Sequence, residues 1–262
     1  MAGTAVPSTQ FNRDELMAVA AAKEVRDGEV ALIGTGLPMI AAYLSKFTHA
    51  PGVTLFFESG IIGSTPKHLA IGVGDFRLMT DCAKTAGLYY ALSLLQGGFV
   101  DLGFLGAAEI DQYGNINSTT IGDYERPKVR LPGSGGANDI ASLAKRVVSI
   151  VVHEKRKFPA RCSYVTTPGF LSGPGAREEA GLRGAGPVRV ISNLAILGFD
   201  DATKKMKIES VHPGTTLEEV QDNTGFDLIV PETVPETLIP TSEELRLLRE
   251  VIDPDGFYIG KD

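Results

Sequence analysis

Short apolar segments alternate with an amphipathic one early in the chain, and this order restricts the possible folds more than any other feature. VALIG (30–34) and VTLFF (53–57) are runs of apolar β-forming residues, and residues 39–47 between them have a helical pattern. A strand, a helix and a second strand in this order form a crossover unit with parallel strands. The sequence therefore predicts an α/β protein with one open, mostly parallel sheet flanked by helices.

Later segments extend this pattern and then change it. Further strands are predicted at 76–80, 100–107 and 146–152, and further helices near 86–96 and 138–145. The last third contains three segments that resemble antiparallel strands, namely 188–192, 195–200 and 206–212. No internal repeat or linker separates two cores, so a single domain over residues 1–262 is predicted.

Capping residues mark the helix ends. Asn12 is predicted to cap a first helix that ends at Asp27-Gly28, and residues 1–11 are expected to form a disordered arm. Thr215 and Glu218 have the spacing of a capping box for a helix. Residues 241–253 are predicted to form the closing amphipathic helix.

Charge and composition exclude several classes of function. The net charge is −7 and no long Lys/Arg run occurs, so no nucleic acid partner is expected. No apolar window is long enough to span a membrane and the N-terminus has no apolar leader segment, so no membrane association and a cytosolic location are expected. Cys82 and Cys162 have no metal-site spacing, which predicts no metal, and Cys82 is expected to be a small core residue.

A carboxylate follows directly after one of the buried strands. The apolar run 53–57 leads into Glu58, and Ser59-Gly60 then break the pattern. Because an ionised carboxylate is costly to desolvate, a carboxylate at this position is either a paired structural charge or a working group. The residue types alone leave both possibilities open.

Glycine-rich loops follow several of the predicted strands. They are GTGLP (34–38), ESGIIG (58–63), GAAEIDQYGNINSTTIGD (106–123) and LPGSGGAND (131–139). In an open parallel sheet, ligands gather at the carboxyl ends of the strands. A glycine-rich turn that begins a helix also offers backbone N–H groups to an anion. Each loop alone is equally compatible with a tight structural turn.

In combination the loops are much more specific. ESG after a strand, GAAEIDQYGNINST, GSGGANDIA, HEKRKF, YVTTPGF and the TGFD segment (224–227) together resemble the family I CoA-transferases. The resemblance covers about 250 residues and is to the glutamate-carrying B-type chain of these enzymes. It implies the CoA-transferase fold, a CoA thioester as substrate and no permanently bound cofactor.

The resemblance also implies roles for individual residues. Glu58 matches the catalytic glutamate, which attacks an acyl-CoA to give a mixed anhydride and then a glutamyl-CoA thioester, so that CoA passes to a short carboxylic or dicarboxylic acid. Backbone groups of Gly135, Gly136 and Ala137, together with Asn117, are expected to bind the thioester oxyanion. The substrate pocket is expected to include Gly34, Thr35, Gly36, Ser59 and Gly60. Asn117 could instead form an Asx-turn, and the glycines could serve only turns or close packing.

The same resemblance implies a partner chain. The family builds its site between two homologous halves, and these 262 residues contain only one. A homologous CoA-transferase chain of the A type is therefore expected as partner, in a hetero-oligomer of A2B2 form or larger. Two alternatives stay open: an acyl-CoA hydrolase or decarboxylase on the same fold, and a non-catalytic ligand-binding domain.

Two histidines are further candidates. His153 and the basic residues after it (HEKRK, 153–157) could meet CoA phosphates, although charge runs are usually solvated surface. His212, before Pro213-Gly214, is expected to be a turn residue.

Overall fold

The computed structural model describes residues 11–65 and 68–260. The chain divides into a first unit, made of Met1–Phe104 and Leu238–Asp262, and a second unit, Leu105–Thr237. The prediction of one domain stays a prediction. The predicted N-terminal arm lies, except for Phe11, outside the described residues.

The first unit is built on a sheet in which the strands lie in the order β5-β1-β2-β3-β4. The strands are β1 (Val30–Leu32), β2 (Thr54–Phe56), β3 (Ile61–Ile62), β4 (Lys84–Thr85) and β5 (Leu102–Gly106), within which the chain passes into the second unit. β1 pairs in parallel with β2 and with β5, as the crossover pattern predicts. β3 and β4 add an antiparallel edge, with β3 pairing to β2 and β4 to β3.

Helices and the end of the chain complete the first unit. They are α1 (Arg13–Ala22), α2 (Leu37–Phe47), α3 (Leu88–Gln96), a 3₁₀ turn at Phe76–Met79, α7 (Ser242–Arg246) and a π-helical segment, Leu247–Ile252. The Asn12 side chain accepts from the Glu15 N–H, and the Glu15 carboxylate accepts in return from the Asn12 N–H, so α1 begins with a capping box.

A buried ion pair joins α1 to the end of the chain. Glu15 is only 2% exposed, and its two carboxylate oxygens accept from Arg249 Nε at 2.6 Å and Nη2 at 2.8 Å. This paired geometry compensates for the loss of hydration of a carboxylate that α1 places in the core.

We expect Arg249→Ala to lower the free energy of unfolding by about 2–3 kcal/mol, because it leaves the Glu15 carboxylate buried without its cation. This value is at the low end for buried pairs because the Arg249 side chain is 42% exposed. Urea denaturation followed by circular dichroism measures it. Arg246→Ala is the control, since its ion pairs within the described residues are with the exposed carboxylates of Glu243 and Glu250, and it should change the midpoint little. Equal losses in both variants would contradict the prediction.

The second unit contains a sheet of order β10-β11-β12-β13 and two small hairpins, β6–β7 and β8–β9. The strands are β6 (Glu109–Ile110), β7 (Ile116–Asn117), β8 (Thr120–Ile121), β9 (Val129–Arg130), β10 (Arg146–Ile150), β11 (Pro187–Ile191), β12 (Ala195–Phe199) and β13 (Met206–Val211). The helices are α4 (Ala137–Leu143), α5 (Ala176–Glu179) and α6 (Leu217–Asp222), with a 3₁₀ turn at Lys155–Lys157. β11 runs parallel to β10, whereas β12 and β13 are antiparallel.

The α/β class, the parallel pairing of the first strands and the antiparallel strands of the last third are confirmed. Other predictions were wrong in detail. Residues 76–80 form a 3₁₀ turn and not a strand, and α1 ends at Ala22, before the predicted stop. The cap of α6 is Thr216, whose hydroxyl accepts from the Glu219 N–H, one residue later than predicted.

The closing helix is also shorter than predicted as an α-helix. Thr241, the first residue of the predicted range, caps α7, and the helix changes to π-helical turns at Leu247. Among the helices of the part of the chain that the structure describes, none has the length and apolarity needed to cross a membrane.

Candidate active site

Glu58 lies at the corner of a tight hairpin in the first unit. The Gly60 N–H donates to the Phe57 carbonyl at 2.8 Å, and the Phe57 N–H donates to the Ile61 carbonyl at 3.0 Å. Glu58 and Ser59 are therefore the two central residues of a turn that Gly60 closes with φ +91°. A type I turn followed by a left-handed glycine is a common hairpin connection. β2 thus does not lead into a helix but turns back directly into β3.

The Glu58 carboxylate has no partner within residues 11–65 and 68–260. Its side chain is half-buried, and the structure contains no hydrogen bond or ion pair to it in this part of the chain. A carboxylate that serves the fold as a buried charge is normally paired, as Glu15 is. The described residues therefore give no support to a paired structural charge at Glu58.

Two neighbours of Glu58 are held in different ways. Ser59 is half-buried and its Oγ has no hydrogen-bond partner among the described residues. Gly60 is fixed by the backbone, since its carbonyl accepts from the Ala86 N–H at 2.8 Å. A Cβ at Gly60 would lie 2.6 Å from the Ala86 carbonyl carbon and 2.7 Å from the Gly87 oxygen. Gly60 thus allows the turn to pack closely against the backbone of residues 86–87. Its predicted role in a substrate pocket stays a prediction.

The GTGLP loop joins β1 to α2 in the same unit. Gly36 caps α2 with φ +84°, and its carbonyl accepts from the N–H groups of Met39 and Ile40. A Cβ at Gly34 would meet no atom within 4 Å, so close packing does not explain that glycine. The pocket roles of Gly34, Thr35 and Gly36 remain predictions.

Tyr258 adjoins this loop and was not identified from the sequence. Its hydroxyl donates to the Ala70 carbonyl at 2.6 Å, and the Thr35 side chain and Gly36 N–H also reach its oxygen. Partial burial, followed by the nearby Asp253 carboxylate, raises the pKa of Tyr258 above its ordinary value. Tyr258 is 188 positions from Ala70 and still farther from Thr35 and Gly36 in the sequence, so no local pattern could have indicated these contacts.

The segment GAAEIDQYGNINST forms the β6–β7 hairpin of the second unit. Asn117 is completely buried, and its amide nitrogen donates both to Glu109 Oε2 and to the Thr120 carbonyl, each at 2.6 Å. Its oxygen accepts from the Thr119 N–H at 2.9 Å. The Glu109 carboxylate accepts in addition from the Ser163 N–H and hydroxyl.

Both amide hydrogens of Asn117 are thus used inside the chain. Donation to a substrate oxyanion would require one of them to be released, so the geometry favours a role in holding the hairpin. The prediction of an oxyanion donor at Asn117 is not tested further by the structure.

The same hairpin carries a second buried carboxylate. Asp111 Oδ1 accepts from the Tyr113 and Asn115 N–H groups, and the Asn115 amide contacts both Asp111 oxygens. Burial raises the pKa of Asp111 in spite of these donors. Asn115 also holds Leu171, donating to its carbonyl at 2.8 Å and accepting from its N–H at 3.0 Å. Leu171 has φ +55°, which a leucine rarely adopts.

The GSGGA loop leads into α4 as predicted. The Ala137 N–H donates to the Ser134 carbonyl at 3.0 Å and is therefore already occupied. The N–H groups of Gly135 and Gly136 have no acceptor within the described residues. Gly135 has φ +50° and open space where a Cβ would lie, whereas Gly136 has φ −80°, which any residue can adopt. Of the three predicted donors, two are thus available in this unit.

The basic run does not present its histidine to solvent. His153 is buried, with Nδ1 3.0 Å from Ser192 Oγ and Nε2 2.9 Å from Thr224 Oγ1, and it stacks on Phe158. The suggestion that His153 meets CoA phosphates is therefore wrong, because both ring nitrogens face core hydroxyl groups.

His212 belongs to the same cluster, although the sequence predicted only a turn residue. Its carbonyl does accept from the Thr215 N–H in a turn, but its ring is buried. Nε2 lies 2.7 Å from the Ser192 carbonyl and Nδ1 2.9 Å from Thr237 Oγ1. Ser192 thereby contacts both histidines.

We expect this cluster to make the fold sensitive to mild acid. Burial, reinforced by His212, lowers the pKa of His153 from 6.5 to about 4. The unfolded chain takes up a proton as the pH falls through 6.5, but the folded chain does so only near 4. Stability should therefore fall across this interval, by about 3 kcal/mol at most.

Denaturation curves between pH 7 and pH 4 measure this loss. His153→Gln should flatten the dependence, because glutamine does not titrate. His49→Gln, which removes an exposed histidine, should keep the wild-type dependence. An unchanged slope in His153→Gln would contradict the assignment.

Neither the two cysteines nor other candidate metal ligands form a cluster among the described residues. Cys82 and Cys162 are free and half-buried, so Cys82 is not the core residue that was expected. Burial is the first cause that raises the pKa of Cys162, and the Asp111 and Glu109 carboxylates add to it. Among the described residues, no group of three or more His, Cys, Asp or Glu side chains could hold a metal ion.

Comparison with known proteins adds an independent observation. Residues 15–223 match the family model for coenzyme A transferase. The chain is 43% identical to the B chain of 3-oxoadipate CoA-transferase from Pseudomonas knackmussii, over 91% of this chain and 92% of that protein. It is 40% identical to the B chain of glutaconate CoA-transferase from Acidaminococcus fermentans, over 96% of each.

A solved structure gives the same result at the level of the fold. The crystal structure of glutaconate coenzyme A-transferase from Acidaminococcus fermentans superposes with a TM-score of 0.92. The superposition covers 97% of this chain and 99% of that chain, with 38% identity.

Proposed function

The chain belongs to the coenzyme A transferase family, among its B-type chains, and from that premise we propose that Glu58 is the nucleophile of a CoA-transferase acting on short dicarboxylic acids. The observation that carries the proposal is the Glu58 carboxylate itself. It stands at a rigid hairpin corner, half-buried and without a partner among the described residues. Such a group can attack an electrophile without first giving up an ion pair.

The first half of the reaction moves CoA onto the protein. A Glu58 carboxylate oxygen attacks the thioester carbonyl, the carbon–sulfur bond breaks, and CoA thiolate leaves with the electron pair. The product is an anhydride between Glu58 and the acyl group. The thiolate then attacks the Glu58 carbonyl carbon of this anhydride, the first acid leaves as its carboxylate, and a Glu58–CoA thioester remains.

The second half repeats these steps in the opposite sense. The carboxylate of the second acid attacks the Glu58 thioester and releases the thiolate, which attacks the acyl carbonyl of the new anhydride. Glu58 is regenerated as a carboxylate and no net proton is consumed. The thioester that is consumed and the thioester that is formed have similar energies, and the same carboxylate serves every step.

Every one of these attacks passes through a tetrahedral oxyanion, which needs hydrogen-bond donors. The N–H groups of Gly135 and Gly136 are the donors proposed for it, since neither has an acceptor in the described residues. Preorganised donors of this kind typically account for about 10²–10³ in turnover each. Ala137 and Asn117 are weaker candidates, because their N–H and amide groups are bonded within the chain.

The substrate class is proposed from the two relatives. 3-Oxoadipate and glutaconate are both short dicarboxylic acids, and identities of 43% and 40% do not separate them. Each relative is named as the B chain of its enzyme, which supports a separate chain of the A type as the partner of this protein. The number of copies of each chain and a cytosolic location remain predictions.

Covalent trapping tests the proposal. The complex, purified from the source organism through a tag on this chain, is incubated with glutaconyl-CoA or 3-oxoadipyl-CoA and no acceptor acid. Borohydride then reduces a glutamyl thioester to an alcohol, and peptide mass spectrometry should find this change only at Glu58 in FFESGIIG. Release of free acid with no labelled glutamate would instead indicate a hydrolase, and label elsewhere would exclude Glu58.

A further inference from the structure

Arg177 is a buried cation to which no carboxylate is bonded. It lies in the second unit, in the short helix α5, and is only 3% exposed. In the part of the chain that the structure describes it forms no ion pair, and the exposed Glu178 acts on it only through its charge. Because a buried charge is costly to desolvate, other polar groups must replace its lost hydration.

Backbone carbonyl groups take this role. Nη1 donates to the carbonyls of Pro168 at 3.2 Å and Gly169 at 2.9 Å, and Nη2 donates to those of Ala141 and Arg183, each at 2.9 Å. The four hydrogens on the two terminal nitrogens are thus all bonded. A lysine offers three hydrogens on a single nitrogen and could not reproduce these contacts. The arrangement therefore requires a guanidinium group, which joins three segments of the chain.

The first of these segments is the end of α4. Ala141 belongs to the last turn of α4, where helix carbonyls need partners from outside the helix. The Arg183 N–H donates to the neighbouring Ser142 carbonyl at 3.2 Å, and Arg177 in turn holds the Arg183 carbonyl. A cation at this end is also favourable against the helix dipole. Arg177 therefore fixes the C-terminal end of α4.

The second segment, residues 168–169, is itself firmly held. Gly169 packs so closely on the Gly114 backbone that a Cβ on it would collide. Its N–H donates to Asn115 Oδ1 at 2.9 Å. The carbonyls that Arg177 binds here are therefore fixed to the β6–β7 hairpin.

The chain just before this segment also reaches the first turn of α4. Asn138 Nδ2 donates to the Thr166 carbonyl at 3.0 Å. α4 has seven residues, about two turns, so it moves as one rigid body. Because it is held at both ends, it cannot slide or rotate against the hairpin. The loop that carries the free N–H groups of Gly135 and Gly136 continues directly into this helix.

We propose that Arg177 is a positioning residue for the oxyanion donors: by holding α4 to residues 168–169 and 183, it fixes the direction in which the Gly135 and Gly136 N–H groups point. The inference rests on the proposed function, which assigns these N–H groups to the oxyanion. The oxyanion forms only during the reaction, so well-placed donors raise turnover and do not strengthen substrate binding. A residue that serves only the fold would change stability and leave the turnover of the folded complex unchanged.

Arg177→Met and Arg177→Lys in the purified complex test the proposal. Methionine removes every donor and should lower kcat by about 10²-fold, near the effect of losing one oxyanion donor. The KM for the acyl-CoA should stay within about twofold of wild type. Lysine keeps the charge but not the two-pronged geometry and should lower kcat by about tenfold. Circular dichroism and gel filtration establish that each variant is folded and assembled.

Arg189→Met is the matched control. It makes the same change in the same unit, but the ion pair that it removes is with Glu209 of β13. Its kcat should equal that of wild type. The rate at which the Glu58–CoA adduct forms, followed by borohydride labelling, gives a second measurement on all four proteins.

The outcomes separate this inference from the proposed function. Slow adduct formation with a normal KM in the folded Arg177 variants, together with a normal rate in Arg189→Met, supports the positioning role. Wild-type kcat in a folded Arg177 variant, or an equal loss in Arg189→Met, overturns the role and leaves the proposed function intact. Loss of activity in both Arg177 variants that only follows loss of folded complex assigns Arg177 to the fold and overturns the role as well. Absence of label at Glu58 in wild type overturns the proposed function itself.

Discussion

Glu58→Ala should abolish CoA transfer while leaving a folded chain. The variant removes the atom that attacks the thioester, and loss of a covalent nucleophile typically lowers turnover by about 10⁴-fold or more. The fold should tolerate it because Glu58 is half-buried in a turn and no described residue depends on its carboxylate. Exchange of CoA between a labelled acid and its thioester measures the loss in the purified complex.

Glu58→Asp separates nucleophile geometry from charge. Aspartate keeps the carboxylate but withdraws it by about 1 Å or more, enough to spoil the attack distance, so a loss of about 10²-fold or more is expected. Glu58→Gln keeps the length and removes the charge, and it should be as inactive as alanine. If any of the three variants kept near-normal exchange, Glu58 could not be the nucleophile, and an acyl-CoA hydrolase or decarboxylase without a glutamyl intermediate would become the better explanation.

The features that sequence predicts well in this chain are local. Asn12 and Glu15 form the capping box from residues three apart, and the strand–helix–strand order of residues 30–57 fixes the parallel pairing of β1 and β2. In both cases the information lies in residues close together in the chain. The same holds for Glu58, whose position after an apolar strand was enough to make it a candidate.

Features that depend on distant residues were missed or misjudged. The hydrogen bonds of Asn117 could not be predicted from the sequence, because its partner Glu109 comes within reach only once the β6–β7 hairpin forms. His153 lies in a basic run, but Thr224, 71 positions away, and Ser192 hold it in the core. β3 and β4 have two residues each, too few to show a periodic pattern. No single-sequence rule weighs such long-range contacts.

The strand prediction for residues 76–80 was wrong for a different reason. FRLMT has the β-forming composition of a short strand, but Asp75 accepts from the Arg77 N–H and caps a 3₁₀ turn instead. A side-chain oxygen that satisfies a backbone N–H locally can outweigh the propensity of five residues. The capping signal was present in the sequence, one residue before the segment.

Gly60→Ala should lower turnover about as much as Glu58→Asp, although less than the loss of Glu58 itself. The new Cβ would lie 2.6–2.7 Å from backbone atoms of Ala86 and Gly87, which cannot rotate away as a side chain could. Relief requires the Glu58 turn to move off the β4–α3 connection, by a displacement on the order of 1 Å. A shift of that size at a reacting group can cost about 10²-fold in turnover, so we expect this loss in the exchange assay.

Gly28→Ala is the matched control for the cost of placing an alanine at a positive φ. Gly28 has φ +78°, similar to the +91° of Gly60, but a Cβ there would meet no atom within 4 Å. It therefore carries the conformational penalty of a left-handed alanine without the collision. Gly28→Ala should lose some thermal stability and keep its activity, whereas Gly60→Ala should lose activity well beyond its loss of stability. The Glu58–CoA adduct should also form more slowly in Gly60→Ala, because the displaced carboxylate attacks less often from a productive position. Normal adduct formation in that variant would mean that the turn tolerates displacement, and the rigid seating of Glu58 would then not contribute to its reactivity.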